Sequence, residues 1–153
     1  MTPGTDINPK ERSERTVFNR IHIGKETDQR LRNLKARTGL TPNLLCRLGF
    51  CLSLAEPGIP DAQLFADGNA REFNRYTLTG QWDSFFFALL RERLNQDGLD
   101  LESDLEPQFK AHLNRGVMLL SQRLKNVADL ASIIAEAQQR ASLSNVNAKA
   151  SRA

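Results

Sequence analysis

Along residues 17–23, apolar and polar side chains change places at every step. Val17, Asn19, Ile21 and Ile23 share one parity, and Phe18, Arg20 and His22 share the other. Period-two placement with β-branched members predicts a short strand ending at Gly24, with Arg20 and His22 presented together. The pattern then turns helical. In KETDQRLRNLKARTG only Leu31, Leu34 and Ala36 are apolar, so one narrow stripe is buried and the rest is wet and basic. Glu26 and Asp28 suit the first turn and Lys35 and Arg37 the last, in accord with the helix dipole. Gly39 fits the residue just past the end. Thr41 reads as an N-cap with Pro42 as the first helical residue. The next helix, NLLCRLGFCLSL, is apolar nearly all round, which marks it as core or as an oligomer interface.

A Gly/Pro/Asp loop follows over 57–70, then a second strand-like stretch, EFNRYTLTG, leading into the helix QWDSFFFALLRERLNQDG. Phe85, Phe86, Phe87, Leu89, Leu90 and Leu94 predict that this helix is aromatic and buried. FNRIHIGKETD (18–28) and FNRYTLTGQWD (73–83) have equal length, share Phe-Asn-Arg and close on Asp, an echo open to reading as duplication or as shared local geometry. After an acidic loop, Pro107 fits a helix start. Phe109, Leu113, Val117, Leu120, Leu124, Val127 and Ile134 then recur at helical spacings, which predicts one long amphipathic helix or two broken near Asn126. The organisation read from this is a flexible basic arm (1–16), a domain (17–126), a helical extension (127–140) and a disordered tail (141–153).

Composition changes this picture little, but charge placement changes it more. The chain has 153 residues, 40% hydrophobic and 25% charged, as expected of a globular domain, and a net charge of only +3. Residues 1–50 carry ten Lys/Arg against five Asp/Glu, residues 51–110 five against eleven, and residues 111–153 six against two. A polyanion is thus attracted to one part and repelled from another, which orients binding. Cys46 and Cys51 are five residues apart, which suits neither a redox pair nor a zinc pair, and both read as core. The first fifteen residues hold no apolar segment of a secretory signal, and no apolar run approaches ~20 residues. A cytoplasmic protein without a membrane span is expected.

Catalytic chemistry finds no support. GKET at Gly24 lacks the upstream glycine of a phosphate loop and has Glu26 where the hydroxyl belongs. His22 and His112 stand in unrelated elements. The acidic stretch 97–106 lacks the spacing of a calcium loop. The expectation is a non-enzyme with no cofactor and no metal.

The order of elements is more specific: basic arm, strand, helix, TGLTPN turn, apolar helix. It predicts a mainly α, ribbon-helix-helix-like strand-helix-helix core with additional C-terminal helices. In such proteins the strands of two subunits pair into an antiparallel ribbon, which satisfies their edges, and such ribbons can enter the major groove of DNA. Arg20 and His22 would project from the ribbon, with Lys25 beyond it at a helix N-terminus that can also meet phosphate.

KARTGLTPNLLCRLGFCLSL together with FNRYTLTGQWDSFFFALL closely resembles the DNA sulfur modification protein family DndE, over roughly residues 17–125. The resemblance implies a small accessory protein of bacterial DNA phosphorothioation, a homo-oligomer (dimer or tetramer) that binds double-stranded DNA with a preference for nicked duplex through surface lysines. Separate components of the system supply the sulfur chemistry and would be its partners. Lys25 and Lys35 sit in matching motifs, whereas several other positive charges here are arginine, whose bidentate geometry differs. The expected DNA-binding set is Arg20, His22, Lys25, Arg32, Lys35 and Arg37, helped by Lys10, Arg12 and Arg15 of the arm. The alternative is a repressor of the ribbon-helix-helix type reading an operator by base contacts.

Overall fold

The computed structural model describes residues 18–152; Lys10, Arg12, Arg15 and the rest of the predicted arm lie outside them. Strand β1 (Arg20–Ile23) is followed by helices α1 (Lys25–Thr38) and α2 (Pro42–Ala55). A 3-10 turn at Ala62–Phe65 precedes strand β2 (Arg71–Asn74), and a second lies at Gly80–Trp82. Helices α3 (Arg75–Thr79), α4 (Asp83–Gln96), α5 (Leu105–Arg123) and α6 (Asp129–Ala150) complete a mainly α fold. The strand-helix-helix core with further C-terminal helices is therefore present.

Local chemistry sets the boundaries. Gly39 ends α1 in the left-handed region at φ 73°, its N–H donating to the Lys35 carbonyl. The Thr41 hydroxyl accepts from the Leu44 N–H at the start of α2, with Pro42 in the first turn. Between α5 and α6 the Asp129 carboxylate accepts from the N–H groups of Lys125 and Asn126, at 2.7 and 3.1 Å, and this capped turn separates the two helices where a break was expected.

The strands pair within the chain. β1 and β2 are antiparallel, with Arg20 opposite Asn74, Ile21 opposite Phe73, His22 opposite Glu72 and Ile23 opposite Arg71. The ribbon expected between two subunits is thus supplied by the chain's own second strand, because Arg71–Asn74 has the length and pattern to satisfy one edge of β1. The sequence echo is not a structural repeat. Phe-Asn-Arg precedes and enters β1 in the first copy, whereas in the second it ends β2 and opens α3.

Helix α5 is the spine. It packs along α2, and the pair approach so closely at Gly49 and Gly116 that a Cβ on Gly49 would lie 2.7 Å from the Gly116 carbonyl carbon. Phe109 of α5 stacks on Phe87 at 5.1 Å between ring centroids and meets Phe50 at 4.9 Å and Phe18 at 5.5 Å. Leu31, Leu34, Leu45, Leu90, Leu94, Leu113, Val117 and Leu120 are fully enclosed around these rings.

Four expectations are corrected. Phe85 and Leu89 face solvent on α4, while Phe86, Phe87, Leu90 and Leu94 face the core. One helix face cannot bury three consecutive phenylalanines. Cys46 is buried but Cys51 is exposed, since five residues turn a helix by about 140°. Val127 is exposed in the turn after α5 and Ile133, not Ile134, is the buried side chain of α6, because the break resets the helical phase. Finally, residues 141–150 continue α6 instead of forming an irregular tail. They contain no Gly or Pro to stop a helix already begun.

Candidate nucleic-acid interface

Helix α1 carries the basic surface. Thr27, Asp28, Leu31 and Leu34 turn inward, and the opposite side is solvent-exposed. At about 100° per residue, Lys25, Arg32 and Lys35 fall along one flank of that exposed side and Arg30 and Arg37 along the other. Neighbouring acids engage part of this set. Arg30 pairs with Glu26 at 2.7 Å and Arg32 with Asp28 at 3.0 Å. Among the described residues, Lys25, Lys35 and Arg37 are exposed and have no ion-pair partner. The N-terminus of α1 has no side-chain cap, and Glu26 and Asp28 in its first turn offset the positive end of the helix dipole.

Arg20 and His22 do lie together, as the alternation requires, but around a carboxylate. Glu72, opposite His22 on β2, accepts from His22 Nε2 at 2.9 Å and lies 3.3 Å from Arg20 Nη1. The ribbon therefore presents a partly neutralised triad. Of the predicted residues, the structure places Lys25, Arg32 and Lys35 along one flank of α1, Arg37 along the other, and Arg20 and His22 on the adjoining ribbon.

Other arginines, which charge counting treats as generic, hold the fold. Arg71 Nε lies 2.8 Å from the buried Asp28, tying β2 to α1. Arg75 makes a two-pronged contact with Asp83 at 3.0 and 2.8 Å, and its guanidinium lies 3.9 Å from the centre of the Phe87 ring. Burial opposes ionisation of Asp83, but hydrogen bonds from Arg75 and Thr79 outweigh it and hold the carboxyl below its ordinary range. Arg93 donates to the carbonyls of Leu54, Glu56 and Gly58, and Arg115 to those of Ser53 and Gly58, so two cations close the C-terminal end of α2. The signal for these roles was thin: the eight-residue Arg75-to-Asp83 spacing recurs between Arg20 and Asp28, and only the former pair meets.

His112 sits wholly inside, its Nδ1 2.9 Å from the Ser53 hydroxyl, with Nε2 lacking a partner. Burial, then Arg115 and Arg93, push its pKa down to about 4, so it is neutral at physiological pH. Ser53 is equally enclosed and also accepts from Arg115 Nε at 2.8 Å. Burial raises the Cys46 thiol to about 12, as befits a packing residue. Among the described residues, no three or more His, Cys, Asp or Glu side chains are grouped to hold a metal ion. No helix among them is long and apolar enough to cross a membrane.

A profile of the family described as DNA sulphur modification protein DndE matches residues 20–128. That span runs from β1 to the turn before α6 and takes in the whole basic surface of α1. The chain belongs to the DndE family. The crystal structure of DndE from Escherichia coli B7A, involved in DNA phosphorothioation modification, is similar with a TM-score of 0.56 at 24% identity, over 68% of this chain and 97% of that one. A DndE variant with two glycines replaced by lysine, involved in DNA phosphorothioation, gives 0.54 at 24% identity, over 69% and 99%. These two likenesses establish the shared DndE fold. No curated protein matches the chain. Helix α6 begins beyond the DndE segment, at Asp129.

Proposed function

We propose that this DndE family member is a non-catalytic, DNA-binding accessory subunit of a DNA phosphorothioation system, acting with the system's other components. It grips double-stranded DNA, and preferentially nicked duplex, through Lys25, Arg32, Lys35 and Arg37, with Arg12 and Arg15 of the N-terminal segment adding contacts. The observation that carries this reading is the exposed side of α1, where Lys25, Lys35 and Arg37 lack acidic partners among the described residues. Exposed cations without acidic partners are what a phosphate backbone recruits, because each contact releases condensed counterions. The similar DndE crystal structures belong to proteins involved in DNA phosphorothioation, which supports the same setting for this chain.

A non-catalytic role is supported by the placement of the reactive side chains. Ser53 and His112 form the Ser–His contact of the core, and neither side chain is open to a substrate. The engagement of Arg20 and His22 with Glu72 weighs against a repressor that reads bases with its ribbon. Self-association is supported by Leu44, Trp82, Phe85 and Leu89, large apolar side chains left in solvent on α2 and beside or on α4.

The test compares binding of nicked, intact and single-stranded DNA of one sequence, with a scrambled sequence as control. The proposal expects nicked duplex to bind tightest and the scrambled sequence to bind alike. A preference of ~4–10 kcal/mol for one sequence would establish the repressor instead.

A further inference from the structure

Three long stretches of the described chain carry no acidic residue: 29–55, 107–128 and 137–152. The first holds the basic side of α1. In the second the cations are used internally: Lys110 donates to the Ala66 carbonyl, Arg115 to Ser53 and Gly58, Lys125 to the Ser121 carbonyl, and Arg123 pairs with Glu136. The third is different. Arg140, Lys149 and Arg152 are exposed and have neither an ion pair nor a side-chain hydrogen bond among the described residues. It therefore resembles the α1 surface in having cations with nothing to neutralise.

The helix that carries them is tied to the core only near its start, by Ile133, Leu130 and the Glu136–Arg123 pair. Ile133 is the only buried side chain of α6, and every residue from Ile134 to Arg152 is exposed. Its remaining residues past Arg140 are mostly Ala, Ser and Asn. A helix of about 15 residues with no packed face is marginal in water, and Ser and Asn lower its propensity further. Small side chains allow a polyanion to approach the backbone, and hydroxyl and amide groups can donate to phosphate oxygens.

We infer that residues 137–152 are a second DNA-contacting element, a basic helical arm appended to the DndE domain that adds about three phosphate contacts, from Arg140, Lys149 and Arg152, to those of α1. Net positive charge without acids matches the uniform negative charge of a duplex, and the arm reads no sequence because its contacts are to the backbone. The inference rests on the reading that α1 binds duplex DNA.

The experiment uses the full chain and measures duplex affinity over a range of salt for the wild type, for Lys25→Gln/Lys35→Gln, and for Arg140→Gln/Lys149→Gln/Arg152→Gln. With the arm engaged, the triple variant loses affinity about tenfold or more, and its log–log salt slope flattens by roughly 2–3, at about 0.9 per contact. Its thermal melt is unchanged, since these side chains support nothing in the core. Wild-type affinity and slope in the triple variant, with the α1 variant weakened, overturn the arm and leave the α1 reading intact. A triple variant that keeps DNA affinity but loses binding to anionic phospholipid vesicles overturns it in favour of a membrane surface. No duplex binding by the wild type overturns both.

Discussion

Gly49 of α2 and Gly116 of α5 meet backbone to backbone, and no side chain fits between them. A Cβ on Gly49 would lie 2.7 Å from the Gly116 carbonyl carbon and 2.9 Å from the Val117 nitrogen, and one on Gly116 would run into the Gly49 carbonyl oxygen. The obstruction is backbone on both sides, so it cannot be relieved by a rotamer change. Gly116→Ala is expected to destabilise the protein by roughly 3 kcal/mol, at the upper end of overpacking costs. Gly98→Ala, in an open turn at φ 70°, should cost only about 1 kcal/mol. Urea unfolding of both variants checks the contrast, and equal losses would contradict it.

Arg75 and Asp83 anchor β2, α3 and α4 against the aromatic core. Removing one partner strands the other, so Arg75→Met should cost about 3–5 kcal/mol if the pair behaves as buried, and less in proportion to its partial exposure. The Asp83 carboxyl is held below its ordinary range in the folded state. Its contribution is therefore complete above the unfolded value of about 4 and disappears as pH falls through the lower folded value. Acid unfolding of Asp83→Asn should show a correspondingly shallower dependence below about pH 4.

His112 behaves as a group with a depressed folded pKa, about 4 against an ordinary 6.5. The unfolded chain binds the extra proton first, so stability is complete above pH 6.5 and falls as the solution is acidified toward pH 4. Stability measured across this window should decline in the wild type and stay flatter in His112→Gln. An identical decline in both would assign the loss to other groups.

Much of the fold could be read from local chemistry. The caps at Gly39 and Thr41, the parity of Ile21 and Ile23, and the break near Asn126 are decided by neighbours in sequence, and each stands in the structure. Pairing could not be read in the same way. Whether β1 takes its partner from a second subunit or from residues 71–74 depends on a contact some fifty residues away. The candidate site divides likewise. The exposure of Lys25, Lys35 and Arg37 follows from helical spacing around Leu31 and Leu34. The capture of Arg20 and His22 by Glu72, and of Arg71 by Asp28, is visible only after the elements dock.

Exposed apolar side chains give a further expectation. Phe85 and Leu89 stand one turn apart on α4, with Trp82 exposed just before it and Leu44 exposed on α2. If this surface buries itself in a homo-oligomer, Phe85→Glu/Leu89→Glu should lower the measured molecular mass in light scattering while leaving the circular dichroism melt of the domain in place. An unchanged mass would exclude this face from the assembly.

On the proposed function, α1 neutralises DNA phosphates. This is tested most directly by the salt dependence of duplex binding for the wild type and for the Lys25→Gln/Lys35→Gln variant. Wild-type affinity should fall steeply with salt, and the variant slope should be smaller by about 2, at roughly 0.9 per phosphate contact. A flat wild-type dependence, or a variant whose slope and affinity match the wild type, would contradict it.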